Sequence, residues 1–265
     1  MLVDRYDAVL FDLDGVLYRG GRPVEHASDA VARLRHLGKR VAFVTNNSSR
    51  QPHVVAERLA AVGVAASPEE VVTSALATAD LLAARGVRRA FVVGGEGLRS
   101  ALRTVGIEVV DGSVARPDTV VVGFDPDVTY AALRDASVRV ARGASLIGSN
   151  PDASFPAADG ENWPGAGALI AAIETATGVR AEIVGKPHAP LLRAALERAG
   201  GGEPLVVGDR IDTDIDGATR LGWASVLVLT GVSTRDDARR SDPPPTYVMD
   251  DLRGLFRGEG DGPGS

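Results

Sequence analysis

The sequence contains no cysteine, which excludes disulfide bonds and thiolate metal sites. Aromatic residues make up only 5% of the 265 residues, whereas 45% are hydrophobic and 24% charged, a balance typical of a globular enzyme. No apolar run is long enough to span a membrane, and no signal-peptide pattern stands at the N-terminus. The net charge is −6, and no cluster of Lys and Arg is dense enough for a nucleic-acid surface. We therefore expect a cytoplasmic protein that binds neither nucleic acid nor a membrane.

The first strong pattern is an apolar run of strand type, Ala8–Phe11, that leads into two carboxylates, Asp12 and Asp14. Because side chains alternate along a strand, both carboxylates should emerge on the same side, at its carboxyl end. Two like charges this close usually need a cation or a shared proton to coexist. The pattern indicates a metal-assisted carboxylate site, although an Asp-rich loop after a buried strand would contain the same residues.

Strand-type runs and helical patterns alternate along the whole chain, which predicts parallel strands with right-handed crossovers. One such series of strands and helices fills the N-terminal part, and a second begins near Arg89. From about Glu182 the pattern again resembles that of the first series. A Gly- and Pro-rich segment, 150–167, is predicted to be a long loop. The length is sufficient for two domains, and the predicted fold class is α/β.

Four polar clusters stand at points where predicted strands end. In one parallel sheet, such clusters would gather along its carboxyl edge. Together they supply carboxylates for Mg²⁺, hydroxyl and amide donors, and one compact positive charge for a phosphate oxygen. These parts suit phosphoryl transfer, in which positioning and charge neutralisation provide most of the catalysis. The clusters are Asp12/Asp14, Thr45/Asn46, Lys186 and Asp209/Asp214.

The segments around these clusters resemble, in order, the four motifs of the haloacid-dehalogenase-like (HAD) phosphatases. They are Asp12–Val16, Val44–Ser48, Gly185–Pro187 and Gly208–Ile215. The amino acids of these motifs are similar to those of the NagD and 4-nitrophenylphosphatase-like branch. Within that branch, the sequence is similar to the actinobacterial glycerol-3-phosphate phosphatases. The resemblance implies a Rossmann-like core, residues 1–76 plus 181–265, with a large α/β cap inserted at 77–180.

The resemblance also implies roles for the carboxylates. Asp12 would be the nucleophile that forms an aspartyl-phosphate. Asp14 would protonate the leaving group and then deprotonate the attacking water. Asp12, the backbone carbonyl of Asp14 and Asp209 would hold Mg²⁺, with Asp214 supporting them.

For the remaining motif residues, the resemblance implies phosphate binding. Thr45 and the backbone around Asn46 and Asn47 would donate to phosphate oxygens, and Lys186 would neutralise charge on the nucleophile and on the transferring group. The presence of Asp14 favours ester hydrolysis over dehalogenation, since halide leaves without a proton. The only other lysine is Lys39, so no cap lysine is present for a phosphonatase-type Schiff base.

We therefore predict a Mg²⁺-dependent phosphomonoesterase for a small phosphorylated metabolite, with glycerol 3-phosphate as the leading substrate. Phosphoglycolate, a sugar phosphate, a nucleotide and 4-nitrophenyl phosphate are the alternative esters. An alternative of another class is a non-catalytic nucleotide-binding module built on Gly95 and Gly97, which come near a dinucleotide-binding fingerprint.

Substrate choice is expected to be determined by the cap, because a closing cap completes the site and excludes water. Relatives with such a cap often dimerise through it, so a homodimer through the cap is a further hypothesis. The candidate residues for substrate or cap contacts are Asn150, Asp152, Trp163 and His188.

Overall fold

The computed structural model describes residues 1–110, 119–156 and 161–258. The chain forms two compact units. The first comprises Met1–Val44, Pro52–Val72 and Leu192–Ser265, and the second comprises Thr45–Gln51 and Thr73–Leu191. In this division residues 45–51, 73–76 and 181–191 belong to the second unit, whereas the prediction from the sequence places them in the core. The core of 1–76 plus 181–265 and the cap of 77–180 stay a prediction.

The strands of the described residues alternate with helices along most of the chain. They are β1 Ala8–Phe11, β2 Tyr18–Arg19, β3 Arg22–Pro23, β4 Arg40–Thr45, β5 Val71–Thr73, β6 Arg89–Val93, β7 Glu108–Val110, β8 Thr119–Val122, β9 Ser145–Gly148, β10 Ser154–Pro156, β11 Asn162–Pro164, β12 Glu182–Ile183, β13 Pro204–Gly208, β14 Ala224–Val228 and β15 Tyr247–Met249.

The α-helices of the described residues are mostly of two to three turns. They are α1 Ala27–His36, α2 Pro52–Ala61, α3 Ser74–Ala84, α4 Glu96–Thr104, α5 Tyr130–Ala141, α6 Ala166–Thr177, α7 Ala189–Arg198, α8 Asp216–Arg220 and α9 Arg235–Arg240. No helix among the described residues is both long and apolar enough to cross a membrane.

The first unit is built on a six-stranded sheet in the order β15-β14-β13-β1-β4-β5. β1 pairs in parallel with both β13 and β4, with Phe11 opposite Val207 and Phe43. Every residue of β1 and β13 is buried, as expected for central parallel strands covered on both faces. This register places the residues that follow β1 and β13 at the same edge of the sheet.

The second unit contains a five-stranded sheet in the order β12-β9-β8-β6-β7, and its strand pairs are also parallel. Its core includes Phe91, Leu146 and Ile173, which come from two strands and from α6. The prediction of an α/β fold with parallel sheets is confirmed by both units.

One local prediction differs from the structure. In the described part of residues 150–167, β10 and β11 pair in an antiparallel manner, with Phe155 opposite Trp163, so this part is not a single long loop. Phe155 also stacks on Phe124, with 4.4 Å between the ring centroids, and this contact anchors β10. The short strands β5 and β7 were not predicted from the sequence, because three residues are too few to show a periodicity.

Candidate functional site

The end of β1 presents Asp12 and Asp14 at the edge of the first unit's sheet. The Asp12 N–H donates to the Val207 carbonyl at 2.8 Å, which continues the pairing of β1 with β13 by one residue. Leu13, between the two carboxylates, is buried. Gly15 then turns the chain with a φ of +82°, a conformation that favours glycine, and its N–H donates to the Tyr18 carbonyl at 2.7 Å.

The end of β13 presents two buried carboxylates, Asp209 and Asp214. Asp209 Oδ2 accepts the Val232 N–H at 2.8 Å, which fixes the direction of the carboxylate. Asp214 belongs to a π-helical turn, Ile211–Ile215, and its Oδ2 accepts the Arg210 N–H at 3.2 Å. A side chain at Gly208 would overlap Asp214, so this glycine makes room for the carboxylate.

Asp12, Asp209 and Asp214 form one carboxylate cluster. Each offers an oxygen atom, and these oxygens lie within 4.8 Å of one another. Oxygen ligands on opposite sides of Mg²⁺ or Ca²⁺ are about 4 to 5 Å apart, so the spacing fits one hard divalent cation. Like charges this close repel, and a cation would offset that repulsion. The cluster brings together residues from the first and fourth predicted motifs.

Asp14 lies beside this cluster in sequence but has a different environment. Its side chain is exposed. Partial desolvation by the surrounding protein nevertheless raises the pKa of the Asp14 carboxyl, while Arg58 and Arg19 act in the opposite direction. A raised pKa suits a group that has to hold a proton before donating it. The Arg58 guanidinium lies over the Tyr18 ring, 4.3 Å from its centre, and this cation–π contact helps to position the Arg58 side chain.

In the second unit, the segment after Thr45 makes a tight polar turn. Thr45 Oγ1 accepts the Asn47 N–H at 3.1 Å, and an accepting hydroxyl keeps its own hydrogen for donation. Asn47 Oδ1 accepts both the N–H and the hydroxyl of Ser49, at 2.9 and 2.8 Å. These bonds fix the Thr45 hydroxyl in the turn, and they engage the Asn47 and Ser49 N–H groups with acceptors inside it.

Asn46 and Lys186 lie together in the second unit, as do the candidate residues Asn150 and Asp152. Asn46 Oδ1 accepts the Lys186 N–H at 2.8 Å. Asn46 Nδ2 donates to Asp152 Oδ1 at 3.2 Å, and Asn150 Nδ2 donates to the Asn46 carbonyl at 2.7 Å. The Lys186 side chain is buried. Residues of the second and third predicted motifs therefore belong to one hydrogen-bonded network.

The other two candidates for substrate or cap contacts, Trp163 and His188, also lie in the second unit. Trp163 lies in β11 and is 42% exposed, so a large apolar ring is available at the surface of the second unit. His188 is half-buried, and its backbone N–H donates to the Gly185 carbonyl at 3.0 Å. Roles in substrate contact stay predictions for Asn150, Asp152, Trp163 and His188.

Gly95 and Gly97 have packing roles at the start of α4. The Gly97 N–H donates to the Ser49 carbonyl at 3.1 Å, and a Cβ at position 97 would lie only 2.5 Å from the Ser49 carbonyl carbon. The Gly95 N–H donates to the Phe124 carbonyl at 3.0 Å. The chain's own backbone thus occupies the place where a dinucleotide fingerprint would receive a pyrophosphate. This geometry argues against the nucleotide-binding alternative.

Two residues that contribute to these arrangements were not predicted from the sequence. Arg58 acts on Asp14 but belongs to no motif, and its position on α2 gave no signal. Ser149 is buried, and its hydroxyl donates to the Ser48 hydroxyl at 3.1 Å within the Asn46 network. A serine before Asn150 is too common a residue to be singled out from one sequence.

Comparison with known proteins places the chain in a family. Residues 9–108 match the haloacid dehalogenase-like hydrolase family, and residues 183–255 match a second model, of HAD-hydrolase-like proteins. Together with relatives that are similar over nearly the whole length, these matches show that the chain belongs to the haloacid dehalogenase-like hydrolase family.

Among the relatives, the acid sugar phosphatase of Staphylococcus aureus is 39% identical over 251 residues, 94% of this chain and 96% of that protein. The glycerol phosphate phosphatase of Mycobacterium tuberculosis, solved in complex with magnesium, has a TM-score of 0.90 at 38% identity, over 96% of this chain and 77% of that one. NagD of E. coli K-12 has a TM-score of 0.87 at 32% identity, over 93% and 96%.

These relatives confirm the resemblance to HAD-superfamily phosphatases of the NagD and 4-nitrophenylphosphatase-like branch. They also confirm the predicted fold class, a Rossmann-like core with a cap, and the prediction that the chain is an enzyme, a HAD-type phosphatase.

Proposed function

We propose that the protein is a Mg²⁺-dependent phosphomonoesterase that hydrolyses a small phosphorylated metabolite through an aspartyl-phosphate on Asp12. The observation that carries the proposal is the carboxylate cluster, in which oxygens of Asp12, Asp209 and Asp214 lie within 4.8 Å of one another. A phosphate ester is an anion, and it can approach such a cluster only where a cation offsets the negative charge.

The proposed reaction has two displacements at phosphorus. First, a carboxylate oxygen of Asp12 attacks the phosphorus, the bond to the ester oxygen breaks, and Asp14 gives its proton to the leaving oxygen. Asp14 then takes a proton from water, the water oxygen attacks the phosphorus of the aspartyl-phosphate, the bond between phosphorus and the Asp12 oxygen breaks, and inorganic phosphate leaves. Asp12 and the protonated Asp14 are restored. The upward shift in the pKa of Asp14 supports its part, because the first step needs its protonated form.

The cation would be held by Asp12 and Asp209, with Asp214 in support and the backbone carbonyl of Asp14 as a further ligand. Mg²⁺ prefers oxygen ligands and is commonly bound by one or two carboxylates together with substrate phosphate. When bound, it would neutralise charge on the transferring phosphoryl group.

The phosphate oxygens would be bound by the Thr45 hydroxyl, by the backbone N–H groups near Asn46 and Asn47, and by the Lys186 ammonium. Donors of this kind act most strongly when they are fixed before the substrate arrives. The hydrogen bond that Thr45 Oγ1 accepts and the burial of Lys186 support fixed positions for the hydroxyl and the ammonium.

We propose glycerol 3-phosphate as the substrate, followed by phosphoglycolate, sugar phosphates, nucleotides and 4-nitrophenyl phosphate. The name of the Mycobacterium tuberculosis relative supports the first choice, and that of the Staphylococcus aureus relative supports a sugar phosphate. The cytoplasmic location and the homodimer through the cap stay predictions.

Phosphate release from this panel of esters, with Mg²⁺ and with a chelator, tests the proposal. We expect release that depends on Mg²⁺, with the highest kcat/KM for glycerol 3-phosphate. A different ranking would overturn the substrate proposal alone. The absence of release from every ester, in folded protein with Mg²⁺ bound, would contradict the reaction class.

Two variants separate the nucleophile from general effects of charge. Asp12→Asn keeps the size of the side chain but removes the nucleophilic oxygen charge, so activity should fall to the background of the assay. Asp29→Asn is the matched control, because Asp29 is exposed in the first turn of α1, and it should retain activity. Activity in folded Asp12→Asn would exclude Asp12 as the nucleophile.

A further inference from the structure

The carboxamide of Asn46 binds both backbone polar groups of Lys186. Asn46 Oδ1 accepts the Lys186 N–H at 2.8 Å, and Asn46 Nδ2 donates to the Lys186 carbonyl at 3.1 Å. One side chain thus satisfies the donor and the acceptor of a residue 140 positions away in the chain. Two such bonds to one residue fix both its position and the direction of its backbone.

Asn46 is itself held firmly. Its carbonyl accepts the Ser74 hydroxyl at 2.5 Å and Asn150 Nδ2 at 2.7 Å, and its Nδ2 also donates to Asp152 Oδ1 at 3.2 Å. Ser74 and Asn150 are both buried. A polar network that is satisfied in this way is rigid, because moving any member breaks buried hydrogen bonds.

The residue before Lys186 is fitted to the same carboxamide. A Cβ at Gly185 would lie 2.7 Å from Asn46 Oδ1, 2.7 Å from the Ser149 carbonyl oxygen and 2.8 Å from Asn150 Cβ. The Gly185 N–H also donates to the Ser149 carbonyl at 2.9 Å. The close approach of Asn46 therefore depends on a glycine at position 185.

We propose that Asn46 is the positioning residue for Lys186, acting through the Lys186 backbone. This inference rests on the proposed function, in which the Lys186 ammonium neutralises the transferring phosphoryl group. A lysine side chain has four rotatable bonds, so its ammonium is placed reproducibly only when its buried stem starts from a fixed backbone. The Asn46 side chain thus contributes to catalysis by placing Lys186, whereas the backbone near Asn46 contributes by binding phosphate.

The geometric part of the inference can be measured without activity. The chain has only two lysines, Lys39 and Lys186, so protein labelled with ¹⁵N-lysine gives two backbone amide signals. The Lys39 N–H donates to the Leu34 carbonyl in the first unit and serves as the internal control. Asn46→Ala should shift the Lys186 signal and speed its hydrogen exchange, while the Lys39 signal stays unchanged. Asn162→Ala, an exposed asparagine of the same unit, should change neither.

The catalytic part is tested by a double-mutant cycle. We expect Asn46→Ala to lower kcat by about 10²-fold, a loss typical of a misplaced catalytic group. In a Lys186→Met background, the same substitution should lower kcat by less than about 2-fold, because the group that Asn46 places is already absent. If Asn46→Ala does not fold, Asn46→Asp carries the test, since it keeps the size but loses the donor to the Lys186 carbonyl.

The outcomes separate this inference from the proposed function. An equal loss of kcat in both backgrounds would overturn the positioning role, because a general structural effect does not depend on Lys186. An unchanged Lys186 signal in Asn46→Ala would overturn it as well. If the wild-type protein hydrolysed no ester but the Lys186 signal moved, the proposed function would fail while the contact between Asn46 and Lys186 stood.

Discussion

Substitution of Gly231 by alanine should weaken binding of the divalent cation without unfolding the protein. Gly231 packs directly against Asp209, and a Cβ at position 231 would overlap Asp209 Oδ2 and lie 2.5 Å from Asp209 Cβ. Real Cβ atoms essentially never approach another heavy atom below 3.0 Å. The Asp209 side chain would therefore have to move away by about half an ångström or more. A displacement of that size already reaches the usual geometric tolerance of a metal or catalytic site.

The expected size of the effect follows from that displacement. Losing the support of a metal ligand typically costs about 10- to 100-fold in metal affinity. This corresponds to about 1.4 to 2.8 kcal/mol of binding free energy. The hydrogen bond from the Val232 N–H to Asp209 Oδ2, 2.8 Å long, resists the movement, so the side chain cannot simply rotate away without losing a partner.

Isothermal titration with Mg²⁺ would measure the affinity directly, and thermal unfolding would measure stability beside it. Gly222→Ala is the control, because Gly222 has a φ of +69° and open space around it. A side chain there strains the backbone by about 1 to 2 kcal/mol, so Tm should fall while cation affinity is kept. Wild-type affinity in folded Gly231→Ala would refute the reasoning that Asp209 is a ligand held in place by this packing.

Two further predictions follow from other contacts. Arg58→Gln removes a cation that favours the charged form of Asp14, so the pKa of Asp14 should rise further. The high-pH limb of the kcat profile should then move to higher pH, whereas the control Arg58→Lys should leave that limb in place. An unmoved limb in Arg58→Gln would exclude Asp14 as the group that titrates. Gly97→Ala should lower the free energy of unfolding by about 1 to 3 kcal/mol, because the new Cβ would lie 2.5 Å from the Ser49 backbone. In the control Gly95→Ala the nearest atom is 3.4 Å away, so chemical denaturation should show a smaller loss. Equal losses in the two variants would contradict the packing role of Gly97.

The arrangement of the carboxylates was predictable because it depends on two simple patterns. Buried parallel strands are recognisable as continuous apolar runs, and polar residues at their ends must meet at one edge of the sheet. The register of β1 against β13 makes this concrete, since Phe11 lies opposite Val207 and the carboxylates follow directly. Asp12, Asp209 and Asp214 could therefore be grouped from the sequence.

The contacts that tune these residues could not be predicted in the same way. Arg58 affects Asp14 from α2, and the Asn46 side chain binds Lys186 across 140 positions. Both depend on the direction of side chains in three dimensions, which apolar periodicity does not specify. The β10–β11 pair was not predicted for a related reason, because its strands have three residues each and are rich in proline and polar residues.

The most direct test of the proposed mechanism is to trap the covalent intermediate. Borohydride reduces an acyl phosphate to an alcohol, so an aspartyl-phosphate would leave homoserine in place of the aspartate, and peptide mass spectrometry would locate it. The mechanism predicts homoserine at position 12 only when phosphate ester and Mg²⁺ are both present, and none in the Asp12→Asn variant. Homoserine at Asp14 or Asp209, or phosphate release with no trapped residue at all, would contradict it.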